Sequence, residues 1–367
     1  MEFNTLFGST GNGTWACKRY FGQNGTPLGY MPLTLEDIAR LSGVSRSTVS
    51  RVINADLNVK HETRQKVQQV INNYNFQPNL AARGLVTGRT NVVGVIIPAS
   101  VSILFTDPYF PQLLQGISAM CTKHDYSVML WLAEPEYEQR MITRILHNGL
   151  VDGVVVASIR MDDPVIQSLQ ESKMPFILIG RHPTENVNYL DVDNLQAGRK
   201  ATLHLLRLGY KRIAAIIGLQ NHVAGYDRYQ GYLKALQETD HALRPELVTE
   251  GDFTEESGYT AMKRLIKYRP DAVFAASDTM AYGAMRALRE ANLEIPKDVA
   301  IVGFDDIPGS SRTVPPLTTV RQPITQMGNK AVDVLINLIE TGTKSTEGVI
   351  MDTELVVRES CGASNMD

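Results

Sequence analysis

Arg46, Ser47, Ser50, Arg51 and Asn54 recur at spacings that set them on one side of a helix, while Val49, Val52 and Ile53 follow the i, i+3, i+4 pattern of the other side. The polar side holds two guanidinium forks, short hydroxyls and an amide, with no carboxylate. A helix face that meets only water would show Glu and Lys. An arginine can read a guanine edge through two parallel hydrogen bonds in the major groove, and Ser, Thr and Asn can reach phosphates or base edges. Thr34, Ser45 and Thr48 supply further hydroxyls near the starts of two short helices. The chemistry this set can perform is recognition of double-stranded DNA.

A second set of charged and aromatic residues stands next to apolar runs further along. Tyr109 and Phe110 in DPYF offer two adjacent aromatic faces. Arg181 in LIGR, Asp193 in DVDN, Arg228 in YDRYQGY and Asp305 in GFDD are charges placed where strands should end. Buried charges need partners, and a polyhydroxylated ligand offers paired hydrogen bonds. Each has a plainer reading: Asp305 could cap a turn, and Asp193 could pair with Arg181.

Catalytic chemistry finds no support. No G-x-x-x-x-G-K-[ST] phosphate loop is present, and TGTKST around Lys344 lacks its spacing. GVSRS at Gly43 misses the G-x-S-x-G elbow by one glycine. The seven histidines are dispersed, with no pair at metal-ligand spacing, so neither a metal nor a cofactor is expected.

The elements that must position these residues can be read in order. Thr34 is a candidate cap for a first helix whose inner face holds Ile38, Ala39 and Leu41, and Gly43 can end it in the left-handed conformation that a tight turn demands. Ser45 caps the second helix, and a third is expected from His61 to Tyr74 with Val67, Val70, Ile71 and Tyr74 inward. Residues 31–77 thus form a helix-turn-helix domain. In 78–90, QPNLAARGLVTGRT has Pro78 at a helix start, but barely two turns follow, with no local core for Leu80, Ala81, Ala82 and Leu85. Such a segment would fold only when paired with its twin on DNA, with Leu85 as an apolar wedge into a minor-groove step; the alternative is a plain linker.

Charge follows the same division. Residues 31–90 carry eight Lys/Arg against four Asp/Glu, whereas the whole chain has net charge −3, leaving about −7 elsewhere. Three widely spaced cysteines fit a reducing cytoplasm, and no apolar run is long enough to span a membrane. Residues 1–30, rich in Gly, Asn and Thr, read as a disordered leader, an appended segment or a mis-called start ahead of Met31, and no function is expected there. From Asn91 to Cys361, strand and helix candidates alternate, which argues for parallel α/β architecture. An internal repeat is visible: GVII at Gly94 recurs as AAII at Ala214, and DGVVVAS at Asp152 as DAVFAAS at Asp271, offsets of 120 and 119. Two similar lobes imply a ligand cleft between them.

TLEDIARLSGVSRSTVSRVIN, NFQPNLAARGL and TGRTNVVGVIIP, in that order, resemble the lactose/galactose-repressor (LacI/GalR) family of bacterial transcription regulators, and the resemblance runs from Thr34 to LVVRES near Ser360. It implies an all-α helix-turn-helix headpiece joined to an α/β periplasmic-binding-protein-like effector domain of two doubly wound lobes. It implies that Arg46 and Ser47 do most of the base discrimination, and that Asn79, Ala82, Arg83 and Leu85 of the hinge lie on the operator. Tyr109, Phe110, Asp193, Arg228, Phe253, Ser277 and Asp305 match positions used for effectors. A homodimer on a pseudopalindromic operator is expected. EGDFTEESGYTAM resembles purine-responsive members, but Arg181 stands where these have a stacking tryptophan and His222 where they have a base-reading arginine. The effector expected is therefore a sugar in preference to a purine.

Overall fold

A computed structural model describes residues 6–10, 13–21, 27–53, 56–76, 89–97, 101–132, 149–157, 160–161, 164–182, 187–342 and 348–363. The chain divides into two compact units, 1–90 and 91–367.

In the first unit, helices α1 (Leu35–Ser42), α2 (Arg46–Ile53) and α3 (His61–Asn73) enclose a small core. Ile38, Ala39, Val49, Val52 and Val67 are buried there, with Leu33 and Phe76 closing its ends. Thr34 begins α1 with a capping box. Its hydroxyl donates to Asp37 Oδ2 at 2.7 Å and accepts from Asp37 N at 3.4 Å, and Asp37 Oδ2 accepts from Thr34 N at 2.9 Å. Gly43, at φ 63°, ends α1 in the left-handed region, and Val44 N then donates back to Ala39 O at 3.0 Å. The short turn sends α2 off at once, with Ser45 Oγ accepting from Thr48 N at 3.1 Å.

The leader departs from expectation. Instead of lacking structure, it forms a three-stranded antiparallel meander of β1 (Leu6–Thr10), β2 (Gly13–Phe21) and β3 (Pro27–Pro32). Composition misled here, because TWACKRYF is rich in the aromatic and β-branched residues that favour a pleated strand.

The second unit contains two six-stranded sheets. One has the order β5-β4-β6-β7-β8-β14, from β4 (Val92–Ile97), β5 (Ser127–Leu132), β6 (Gly153–Ala157), β7 (Phe176–Ile179), β8 (Tyr189–Val192) and β14 (Gly348–Met351), all parallel. The other has the order β10-β9-β11-β12-β13-β15, from β9 (Ile213–Ile217), β10 (Val248–Glu250), β11 (Ala272–Ala275), β12 (Ala300–Asp305), β13 (Thr318–Arg321) and β15 (Glu354–Val356). These are the same order written twice, so the sequence repeat that pairs β4 with β9 and β6 with β11 is a repeat of topology. Only the last strand differs, since β15 runs antiparallel to β13.

Strand alternation explains the helices on both faces. Ile213, Ala215 and Ile217 face α7 (Asn194–Arg207) and α8 (Val223–Glu238), while Ala214 and Ile216 face α9 (Glu255–Leu265) and α10 (Asp278–Glu290). In the other lobe Val93, Val95 and Ile97 face α5 (Tyr109–Lys123) and α11 (Ile324–Thr341), and Ile96 faces α6 (Pro164–Ser172). The remaining described helix, α4 (Val101–Thr106), precedes α5. The chain passes between lobes three times: from β8 into α7, from β13 into α11 and from β14 into β15.

Candidate functional site

On the headpiece, Arg46, Ser47 and Arg51 are exposed and Thr48 and Ser50 half-buried, so the polar side of α2 faces away from the core. Ser45 Oγ lies 2.8 Å from both Ser47 Oγ and Thr48 Oγ1, which clusters three hydroxyls at the N-terminus of α2, where backbone N–H groups favour a phosphate. Arg46 Nε sits 3.2 Å from Glu36 Oε1, and Arg51 Nε 3.9 Å from Asp56 Oδ2. Both arginines are exposed, and the pairs are readily exchanged for a phosphate or base edge. Thr34 is committed to its capping box. Asn54, Asn79, Ala82, Arg83 and Leu85 lie outside the described residues.

The second site is built around Arg228 on α8. Its Nε donates to Asn194 Oδ1 at 2.9 Å, and its NH1 donates to Ala276 O at 2.6 Å and to Asp305 Oδ1 at 3.4 Å. Its guanidinium lies 3.7 Å over the Phe304 ring. The side chain is buried with Asp305, so one cation and one carboxylate are held out of water together. Asp305 ends β12 with φ 119°, a conformation side chains rarely adopt, and Gln322 Nε2 donates to its Oδ1 at 2.6 Å. The next residue turns the opposite way: Asp306 accepts from Arg321 Nε at 2.7 Å and Arg358 NH2 at 2.6 Å.

Asn194 links Arg228 to Asp191, donating to Asp191 Oδ1 at 3.0 Å. Burial raises the Asp191 carboxyl to about 6, against the lowering effects of the Val192 and Arg181 amides and of Arg228 and Arg181. Burial also raises Asp107 and Asp305, with Arg228 acting in the opposite sense on both. Tyr109 lies in the same field. Burial and then the charges of Asp305 and Asp191 raise its pKa, so the phenol stays a neutral donor. Three acidic groups thus lie in the field of one buried guanidinium that pairs with Asp305 alone, and a ligand that donates many hydrogen bonds would satisfy them best.

The other expected ligand residues are placed unevenly. Phe110 is a correction: it is buried in the lobe core with Leu113 and Ile117 and meets Tyr109 edge-on at 5.4 Å, so its face is not free for stacking. Asp193 is another, because its exposed carboxylate caps α7, accepting from Gln196 N at 2.9 Å, while Asp191 two residues earlier is the buried acid. Ser277 caps α10, accepting from Met280 N at 3.1 Å. Phe253, at φ 69°, lies against Gly218, where an added Cβ would meet its ring at 2.2 Å, and its centroid is 6.5 Å from His222. Arg181 pairs with Asp227 and approaches Asp191 to 4.0 Å.

Residues that sequence reasoning missed include Asp191, Asn194, Asp107 and Thr279, whose buried hydroxyl has no hydrogen-bond partner among the described residues. Asp278 was also missed. Its buried carboxylate accepts from Ser310 Oγ and Thr319 Oγ1, each at 2.5 Å, and from Ile307 N at 3.1 Å, and burial raises it to about 7. It ties the segment after β12 to α10. Among the described residues there is no group of His, Cys, Asp and Glu that could hold a metal, and no helix is long and apolar enough to cross a membrane.

Residues 34–79 match the family model of bacterial regulatory proteins of the lacI family, and residues 202–361 match the periplasmic binding protein-like domain. The HTH-type transcriptional regulator CelR of Thermobifida fusca is 39% identical over 332 residues, covering 89% of this chain and 98% of the relative. The chain belongs to the lacI family of bacterial transcriptional regulators. Among solved structures, a CelR–cellobiose complex is similar with TM-score 0.71 and 37% identity, covering 89% of this chain and 99% of that one. The lac repressor dimer bound to operator and an anti-inducer is similar with TM-score 0.81 and 28% identity, covering 90% and 99%. The helix-turn-helix headpiece and the two-lobed α/β domain expected from the sequence are those of the family, whose members regulate transcription and are not enzymes.

Proposed function

We propose that this protein is a sugar-responsive repressor of carbohydrate-utilisation genes, acting in the cytoplasm as a homodimer on a pseudopalindromic operator. The observation that carries the effector class is the pair of buried acids Asp191 and Asp305, with half-buried Asp107, in the field of Arg228, and the Tyr109 phenol beside them. Such a cluster asks for a ligand rich in hydroxyl donors, and the apolar face of a pyranose can pack on Tyr109. A purine has few donors and would need aromatic faces on both sides, yet Phe110 is core and Arg181 stands at the position of the missing stacking residue. The similarity to a regulator solved with cellobiose favours a short gluco-oligosaccharide.

On DNA, Arg46 and Ser47 read bases, with Thr34, Ser45, Thr48, Ser50, Arg51 and Asn54 supporting them. Hinge residues Asn79, Ala82 and Arg83 contact the backbone, and Leu85 wedges between base pairs. Effector in the cleft favours one lobe arrangement and operator the other, so the two ligands trade free energy. Calorimetry with cellobiose, ribose, hypoxanthine and guanine, repeated with operator DNA present, tests this. Tight binding of a purine with no heat from any sugar would sink the sugar reading.

A further inference from the structure

Arg181 and Asp227 belong to different lobes. Arg181 follows β7 of the first sheet, and Asp227 lies on α8 beside the second. The guanidinium donates to the Asp227 carboxylate, while the Arg181 backbone N–H donates to Asp191 Oδ2 of its own lobe at 3.2 Å. The arginine is thus anchored on one side and reaches across to the other. A second link runs parallel to it. Met161 N donates to Asn221 O at 2.8 Å, and Arg160 and His222 form an antiparallel bridge. Residues 160–161 follow β6, and 221–222 follow β9, so this link also joins the lobes across the carboxyl ends of their strands, where a ligand of this fold enters.

The lobes are therefore held together by more than their three chain crossovers, and each extra link is made directly between protein groups. We propose that the Arg181–Asp227 pair is an inter-lobe latch that keeps the cleft closed before ligand arrives, with Arg181 a positioning residue for the response. This rests on reading the cleft as the effector site. The Asp227 carboxylate is buried at 7% exposure and the Arg181 side chain is 44% exposed, so the charge that is costlier to strand lies on the α8 side. Opening strands that carboxylate as well as breaking the 161–221 hydrogen bond, which couples the two links. Closure without ligand lowers the ordering cost that an incoming effector must meet.

The test reads the latch directly. Amide hydrogen exchange is followed on the full-length protein without effector, at the peptide carrying Met161 and at peptides from β4 and β9. Arg181→Gln and Asp227→Asn are each expected to speed exchange at Met161 by roughly 3–10-fold while β4 and β9 stay protected, and Arg181→Lys is expected to recover at least half of the lost protection. Unchanged Met161 exchange in both variants would overturn the latch, and so would a loss spread equally over β4 and β9. Cellobiose calorimetry on the wild type separates the two readings. Faster Met161 exchange with no saccharide binding keeps the latch and removes the effector class; saccharide binding with Met161 unmoved does the reverse.

Discussion

Replacing Arg228 with lysine keeps the charge and removes the fork, so it isolates what the guanidinium geometry contributes. Nε and NH1 serve Asn194 Oδ1 and Ala276 O in different directions, and a single ammonium can meet only one of them. The acceptor left behind is buried, which costs about 1–3 kcal/mol. Loss of the planar cation over Phe304 adds about 1 kcal/mol. The second unit should therefore lose about 3 kcal/mol, which for a domain of this size lowers its melting temperature by about 6 °C. The fork also holds Asp305 and, through Asn194, Asp191 in place, so saccharide affinity should fall at least about tenfold, equivalent to about 1.4 kcal/mol. Operator binding at 25 °C should persist, because the headpiece has its own core around Ile38, Val49 and Val67. Scanning calorimetry with saccharide titration and an operator gel shift reads all three. A melting temperature within 1 °C of wild type together with unchanged saccharide affinity would refute the reasoning.

Exchanging Arg46 and Ser47 together should move the preferred half-site and cost roughly 1–3 kcal/mol on the original one; selection from random duplexes that returned the old consensus would reject Arg46 as a reader. Leu85→Ala should weaken operator binding yet leave saccharide affinity and dimerisation intact, and sedimentation showing lost dimers would reassign Leu85 to an interface. Asp191 predicts a pH dependence of stability. Its folded pKa, about 6, exceeds its ordinary 3.8, so its stabilising contribution is complete below about pH 4 and is lost as pH rises through about 6. The change is roughly 2–3 kcal/mol, and urea unfolding should show Asp191→Asn flattening the slope between pH 4 and 7. An unaltered slope would place that linkage elsewhere.

What could be read along the chain alone was whatever depends on neighbours in sequence. The headpiece is of that kind, since Thr34 and Asp37 cap α1, Gly43 turns the chain, and the i, i+3, i+4 spacing of Val49, Val52 and Ile53 settles which side of α2 carries Arg46 and Arg51. The lobe repeat was legible for the same reason, because fully buried parallel strands leave apolar runs that can be aligned at a constant offset. The site was less so. Sequence points to Asp193 and gives no sign of Asp191, because it does not say where β8 stops and α7 begins, and two residues separate a helix cap from a buried acid. Phe110 and Tyr109 are adjacent on a helix and point about 100° apart, so Phe110 enters the core while Tyr109 stays half-buried in the field of Asp305 and Asp191. Asn194 and Asp305 lie 34 and 77 residues from Arg228 but in the same lobe, where the parallel strand order brings them together, whereas Asp227 lies 46 residues from Arg181 and in the other lobe. Local spacing decides which face a helix shows, whereas tertiary packing decides which charges must be buried beside one another, and that second decision makes the site around Arg228.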